Sequence, residues 1–115
     1  MQRADNVYLG HMLDMALKVA ARIKGKSRAD YDREEDLRII VAHLVQTIGE
    51  AASRVSAPTR DSHPEIPWRQ ITGIRHRIVH DYMDVDYDVL WEVATRDLPR
   101  LAAQLEKLLP PEDMA

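Results

Sequence analysis

Apolar residues recurring at alternating three- and four-residue spacing constrain this chain more than any other feature. Leu9, Met12, Ala16, Val19 and Ile23 form one series, and Leu37, Val41, Leu44, Ile48 and Val55 a second, widened by Ile40, Val45 and Ala52. At about 100° per residue this spacing aligns side chains on one face of an α-helix and on no face of a strand. Ile71, Ile74 and Ile78 share one side of a third helix, Val89, Leu90 and Val93 mark a fourth, and Leu98, Leu101, Leu105 and Leu108 a fifth. No internal repeat, low-complexity tract or strand-like alternation intervenes. The predicted architecture is all-α: an antiparallel bundle of four to five helices, homodimeric, in one domain over residues 1–115.

Punctuation supports these boundaries. Asp5 suits an N-cap for the first helix, and Gly25, flanked by Lys24 and Lys26, suits its stop. Ser27 with Asp30 three residues later has the capping-box spacing of a short turn before the second helix. Ser56 to Pro67 holds three of the six prolines and reads as the longest loop. Pro67 fits the first turn of the third helix, which is expected from Trp68 to about Val79 or Tyr82. Asp86 can cap the fourth helix, and Pro99 fits a new first turn but not a helix interior.

Composition excludes several functions. A chain of 115 residues closes one core and is too short for two. With no cysteine it has neither a disulfide framework nor a thiolate metal site. A formal net charge of -3 is wrong for a general nucleic-acid coat, so contact with RNA must rest on a local patch. Without phenylalanine, two tryptophans and four tyrosines are too few for a multi-base stacking platform. Neither a secretory leader pattern nor an apolar run of membrane-spanning length is present, so a cytoplasmic protein with no membrane partner is expected.

Chemistry concentrates in Arg75-His76-Arg77-Ile78-Val79-His80-Asp81-Tyr82. From Trp68 to His80 there are three arginines and no acidic residue, after which Asp81, Asp84, Asp86 and Asp88 follow closely. An arginine holds a phosphate by two parallel charge-assisted hydrogen bonds, and a histidine moves a proton near neutral pH. Arg75 falls about 40° from Ile71 on an ideal helix and therefore borders the apolar stripe, where it needs an anion, a carboxylate or a stacked ring. His80 falls about 140° from Arg75, so one straight helix cannot aim both at one phosphate. Either the helix ends near His80, or two copies of the chain assemble the site across a twofold axis. Both are expected together, because Asp81 to Asp86 reads as a turn.

Plainer roles compete for each residue. Arg75 can be an ion-pair partner for Glu50 or Asp81, and His80 a cation favoured by a helix C-terminus. His76 and His80 stand four apart, the spacing of a two-histidine metal site, but the flanking arginines would repel a cation and no metal is expected. Tyr82 can be a partly buried ring with a solvated hydroxyl.

The order of motifs resembles the HEPN superfamily and, within it, the HepT-like toxins of bacterial and archaeal toxin–antitoxin pairs. The R-x-x-x-x-H-x-Y pattern of Arg75, His80 and Tyr82 carries the resemblance with five other elements. These are Ile48-Gly49-Glu50-Ala51, His63 to Trp68, Gly73, Val85-Asp86 with Leu90-Trp91, and Asp97-Leu98-Pro99. It covers roughly residues 30 to 109. It implies an all-α homodimer whose R-x-x-x-x-H motifs meet in a shared cleft, and a metal-independent endoribonuclease without cofactors. Arg75 would stabilise the scissile phosphate, and His80 would act as general acid or base on the RNA 2′-hydroxyl or the leaving oxygen. His76 stands where the family usually has another polar residue, often asparagine, and is an accessory candidate for proton transfer. Tyr82 matches the tyrosine on which the cognate MntA-type nucleotidyltransferase antitoxin places AMP, as in type VII-like systems. The alternative is a non-catalytic helical dimer whose cluster is an anion site for a nucleotide or partner.

Overall fold

A computed structural model describes residues 3–81 and 84–109. Helix α1 (Arg3–Ile23) buries Leu9, Met12, Ala16 and Val19, the apolar series read from the spacing. It stops where expected: Gly25 takes φ +74, a left-handed conformation that costs glycine little and other residues much more. A short helix α2 (Arg28–Arg33) opens on the Ser27–Asp30 capping box, each residue's side chain accepting the other's backbone N–H. Helix α3 (Glu35–Ser53) follows and buries Leu37, Val41, Val45, Ile48 and Ala52.

Helices α1 and α3 pack antiparallel, and Asp5 pins the end of the pair. Its buried carboxylate accepts the backbone N–H of Ser56 at 2.9 Å, the Ser56 hydroxyl at 2.6 Å and the Thr59 hydroxyl at 2.5 Å. Asp5 therefore lies inside α1 and ties it to the residues after α3, instead of capping its own helix. Those hydrogen bonds hold its carboxyl below the ordinary carboxylate range, Ser56 contributing most. The stretch read as a long loop contains a further short helix, α4 (Ala57–Ser62), with Pro58 in its first turn, where a missing N–H costs nothing.

The third helix departs most from the sequence reading. It forms as two short pieces, α5 (Trp68–Thr72) and α6 (Ile74–Ile78), joined at Gly73. Ile71, Ile74 and Ile78 all face the core even so. Helix α6 ends because the chain turns extended at Val79, a β-branched residue that pairs well across a ladder. Strands β1 (Val79–Asp81) and β2 (Asp84–Val85) form an antiparallel hairpin with Val79 opposite Val85. The backbone N–H of Asp86 then donates to the Ile78 carbonyl at 2.6 Å, satisfying a group the ended helix leaves open. This hairpin was not legible as alternation, and the chain is mostly helical rather than wholly so.

Asp86 caps helix α7 (Tyr87–Glu92) as expected, its side chain accepting the Val89 N–H at 3.1 Å. The expected fourth and fifth helices are one continuous rod. Helix α7 passes through a π-helical segment (Val93–Asp97) into α8 (Leu98–Leu108). The Leu98 N–H reaches the Val93 carbonyl five residues back, which widens the turn just before Pro99. In a regular helix the Pro99 ring would press on the Thr95 carbonyl, so the wider turn removes the reason for a break. The rod runs in the same sense as α3: Tyr87 lies near Arg38, and Leu98 and Leu101 lie near Ile48. Tyr31, fully buried on α2, locks the start of the rod by donating to the Tyr87 carbonyl at 2.8 Å and packing on Trp91. Among the described residues no helix is long and apolar enough to cross a membrane.

Candidate functional site

The α6–hairpin segment displays the candidate residues outward. Ile74 and Ile78 fix the inner side of α6, so Arg75, His76 and Arg77 are all exposed. Arg75 therefore does not border the apolar stripe, as an unbroken helix from Trp68 would have it. The break at Gly73 resets the helical phase, and α6 needs only two inward residues. Among the described residues no ion pair is formed between Arg75 and Glu50. Its neighbour Arg77 is held by Asp97 at 3.7 Å. The two arginines differ accordingly: Arg77 ties α6 to the rod, while Arg75 is exposed beside α3.

Arg75 and His76 line an open groove of about 250 Å³ with Glu50, Ser53, Gln46 and Gly49 of α3. Gly49 permits this approach. A Cβ on it would stand 2.9 Å from Ile74 Cγ2 and 3.0 Å from the Ile71 carbonyl, so α5 and α6 can lie against α3 only where no side chain intervenes.

His80 points elsewhere. It sits on β1, beyond the end of α6, and is not among the residues lining that groove. Its Nε2 lies 3.2 Å from Asp86 Oδ2. Because α6 ends at Ile78, His76 and His80 do not share a helical face, and the spacing of a two-histidine metal site loses its meaning here. No group of three or more His, Cys, Asp or Glu among the described residues is placed to hold a metal. Tyr82 lies outside the described residues.

Asp86 is the residue that sequence reasoning undervalued. The sequence suggests a helix cap and a motif position for it but no contact with His80, yet its second carboxylate oxygen reaches that ring. The signal was present as an Asp six residues after the histidine, but only a hairpin brings those two positions together. The Val89 N–H, and after it the His80 contact, hold the Asp86 carboxyl below the ordinary range.

The geometry now meets what comparison with known proteins shows. A family model described as "Ribonuclease HepT-like" matches residues 12–108, most of the chain. The chain belongs to the HepT-like ribonuclease family. It is 30% identical over 105 residues to "Putative RNase TTE0752" of Caldanaerobacter subterraneus subsp. tengcongensis, covering 91% of this chain and 94% of that one. It is 34% identical over 79 residues to "Probable ribonuclease HepT" of Thermococcus cleftensis, covering 69% and 72%. A protein of Methanocaldococcus jannaschii named "Putative RNase MJ1380" is 26% identical over 105 residues, covering 91% and 96%. No solved structure matches the chain. The HepT-like match takes in α6, the hairpin and the rod, so Arg75, His80 and Asp86 all lie within the family's domain.

Proposed function

We propose that this HepT-like protein is a metal-independent endoribonuclease, the toxin of a type VII-like toxin–antitoxin pair. The observation that carries the reading is an exposed Arg75 beside α3, five positions before a histidine held by a carboxylate. Such an arginine neutralises the oxygens of a scissile phosphate as charge builds on them. His80 accepts the proton of the RNA 2′-hydroxyl as that oxygen attacks phosphorus, or donates one to the departing 5′-oxygen. His76, which lines the groove beside Arg75, would add a second proton-transfer group.

Because Arg75 opens onto the α3 groove and His80 is turned to Asp86, a cleft shared by two chains is the arrangement we favour. Helix α3 supports it with an exposed Ile39, beside a second groove formed with Ala42, His43, Val85 and Tyr87. The Arg75 groove and this one share Gln46 and Glu50, so one partner surface would meet both. In this reading a cognate nucleotidyltransferase adds AMP to the Tyr82 hydroxyl. The added phosphate would compete with RNA for Arg75 and fill the cleft.

Cleavage of RNA by the purified protein in EDTA tests the activity. Wild type is expected to cleave, while folded Arg75→Ala and His80→Ala lose at least about a hundredfold in rate. Folded variants that cleave at the wild-type rate remove these residues from the mechanism. A protein that cleaves nothing yet binds a nucleotidyltransferase or nucleotide supports the anion-site alternative.

A further inference from the structure

Three contacts immobilise Asp86. Its backbone N–H is tied to the Ile78 carbonyl, the preceding Val85 pairs with Val79, and Oδ1 accepts the Val89 N–H at the start of α7. With the backbone and one oxygen fixed, Oδ2 has little freedom left, and it stands 3.2 Å from His80 Nε2. A helix cap alone needs one acceptor oxygen. Here the second oxygen is delivered to the one histidine of the hairpin, from an element different from the one that carries His80.

We propose that Asp86 is the positioning residue for His80, fixing its ring tautomer and orientation and stabilising its protonated form. With Nε2–H donated to the carboxylate, the neutral ring presents its Nδ1 lone pair to substrate. A proton taken up at Nδ1 creates an imidazolium whose charge lies against Asp86, which keeps its own charge throughout. Proton balance is therefore between His80 and the RNA oxygens, and Asp86 transfers nothing. The hydrogen bonds that hold the Asp86 carboxyl below the ordinary range keep it ionised near neutral pH. The same aspartate thus couples the start of the α7–α8 rod to the reacting ring.

Other charges lie on the neighbouring elements. The hairpin carries Asp81 and Asp84, α6 carries Arg75, His76 and Arg77, and the first turn of α7 carries Asp88. Arg77 is engaged by Asp97 and Asp88 by Arg28. All of these remain when Asp86 alone is changed, so a difference between variants reports on Asp86.

The inference rests on the ribonuclease reading for its catalytic meaning, and the test separates the two. Asp86→Asn keeps the shape and the capping oxygen without the charge, and Asp86→Ser keeps a capping side chain too short to reach His80. Ring ¹⁵N and ¹H NMR titration of intact protein is expected to show wild-type neutral His80 protonated at Nε2. Both variants should mix the tautomers. In the cleavage assay kcat should fall about tenfold with KM nearly unchanged. An unchanged His80 tautomer in both folded variants overturns the proposal, as does a changed tautomer with wild-type kcat. A folded His80→Ala that still cleaves fully removes His80 from the mechanism instead, and a wild-type protein that cleaves no RNA defeats the ribonuclease reading; in either case the NMR result still decides whether Asp86 positions the ring.

Discussion

Replacing Gly49 by alanine separates two opposing effects whose sign the structure decides. In an isolated helix the change stabilises by about 1 kcal/mol, because glycine is the poorer helix former. In this protein the new methyl would stand 2.9 Å from Ile74 Cγ2 and 3.0 Å from the Ile71 carbonyl oxygen. Carbon–carbon contacts are best at about 3.5–4.0 Å, so something must move by more than half an ångström. Neither neighbour yields easily. One is backbone, and the other is the β-carbon branch of a buried isoleucine with a stiff χ1. Overpacking of this kind costs about 1–3 kcal/mol, which leaves a net destabilisation of about 0–2 kcal/mol after the helix gain. Urea unfolding followed by circular dichroism measures it. Ile74→Leu removes the offending Cγ2 at similar volume, so Gly49→Ala with Ile74→Leu should cost at least about 0.5 kcal/mol less than the sum of the single changes. A Gly49→Ala protein more stable than wild type, or strict additivity with Ile74→Leu, refutes the close-packing argument.

Asp5→Asn should destabilise by about 2–4 kcal/mol in urea, since three hydrogen bonds converge on a buried carboxylate. The folded-state value of Asp5 is depressed, so its contribution is fully present above the unfolded carboxylate value near pH 4 and is lost as pH falls through the folded value; thermal melts between pH 5 and 2 should therefore steepen less for Asp5→Asn than for wild type. Intact-mass spectrometry of protein co-expressed with a cognate nucleotidyltransferase should show added adenylate, absent from Tyr82→Phe; adenylate that persists in that variant places the modification elsewhere.

The helices were legible because their apolar faces repeat at helical spacing. Leu9, Met12, Ala16 and Val19, and Val41, Val45 and Ile48, are buried as the pattern required, with Leu44 half-buried, and Ser27, Gly25 and Asp86 act as the caps and stops their chemistry suggested. What escaped the sequence was non-local. Asp5 looked like an N-cap, but its partners lie about fifty residues away, at Ser56 and Thr59. Pro99 looked like a break until a π turn absorbed it. Arg75 was placed at the edge of the apolar stripe because nothing in the pattern showed that Gly73 would divide the helix. The segment Arg75 to His80 stood out from its residue types; an unbroken helix would set Arg75 and His80 apart, but in the structure they separate because His80 leaves the helix for β1. The Asp86 contact required the hairpin, whose two short strands are too brief to leave a periodic signature.

Mixing the two inactive variants tests most directly whether Arg75 and His80 act together across a dimer. Equal amounts of Arg75→Ala and His80→Ala chains, unfolded and refolded together, form heterodimers in about half of all pairs if the chain is an isologous dimer. Where a site takes Arg75 from one chain and His80 from the other, each heterodimer regains one intact site, and RNA cleavage in EDTA returns to about a quarter of the wild-type rate. No recovery, with heterodimers demonstrated by native mass spectrometry and each variant inactive alone, contradicts the shared cleft.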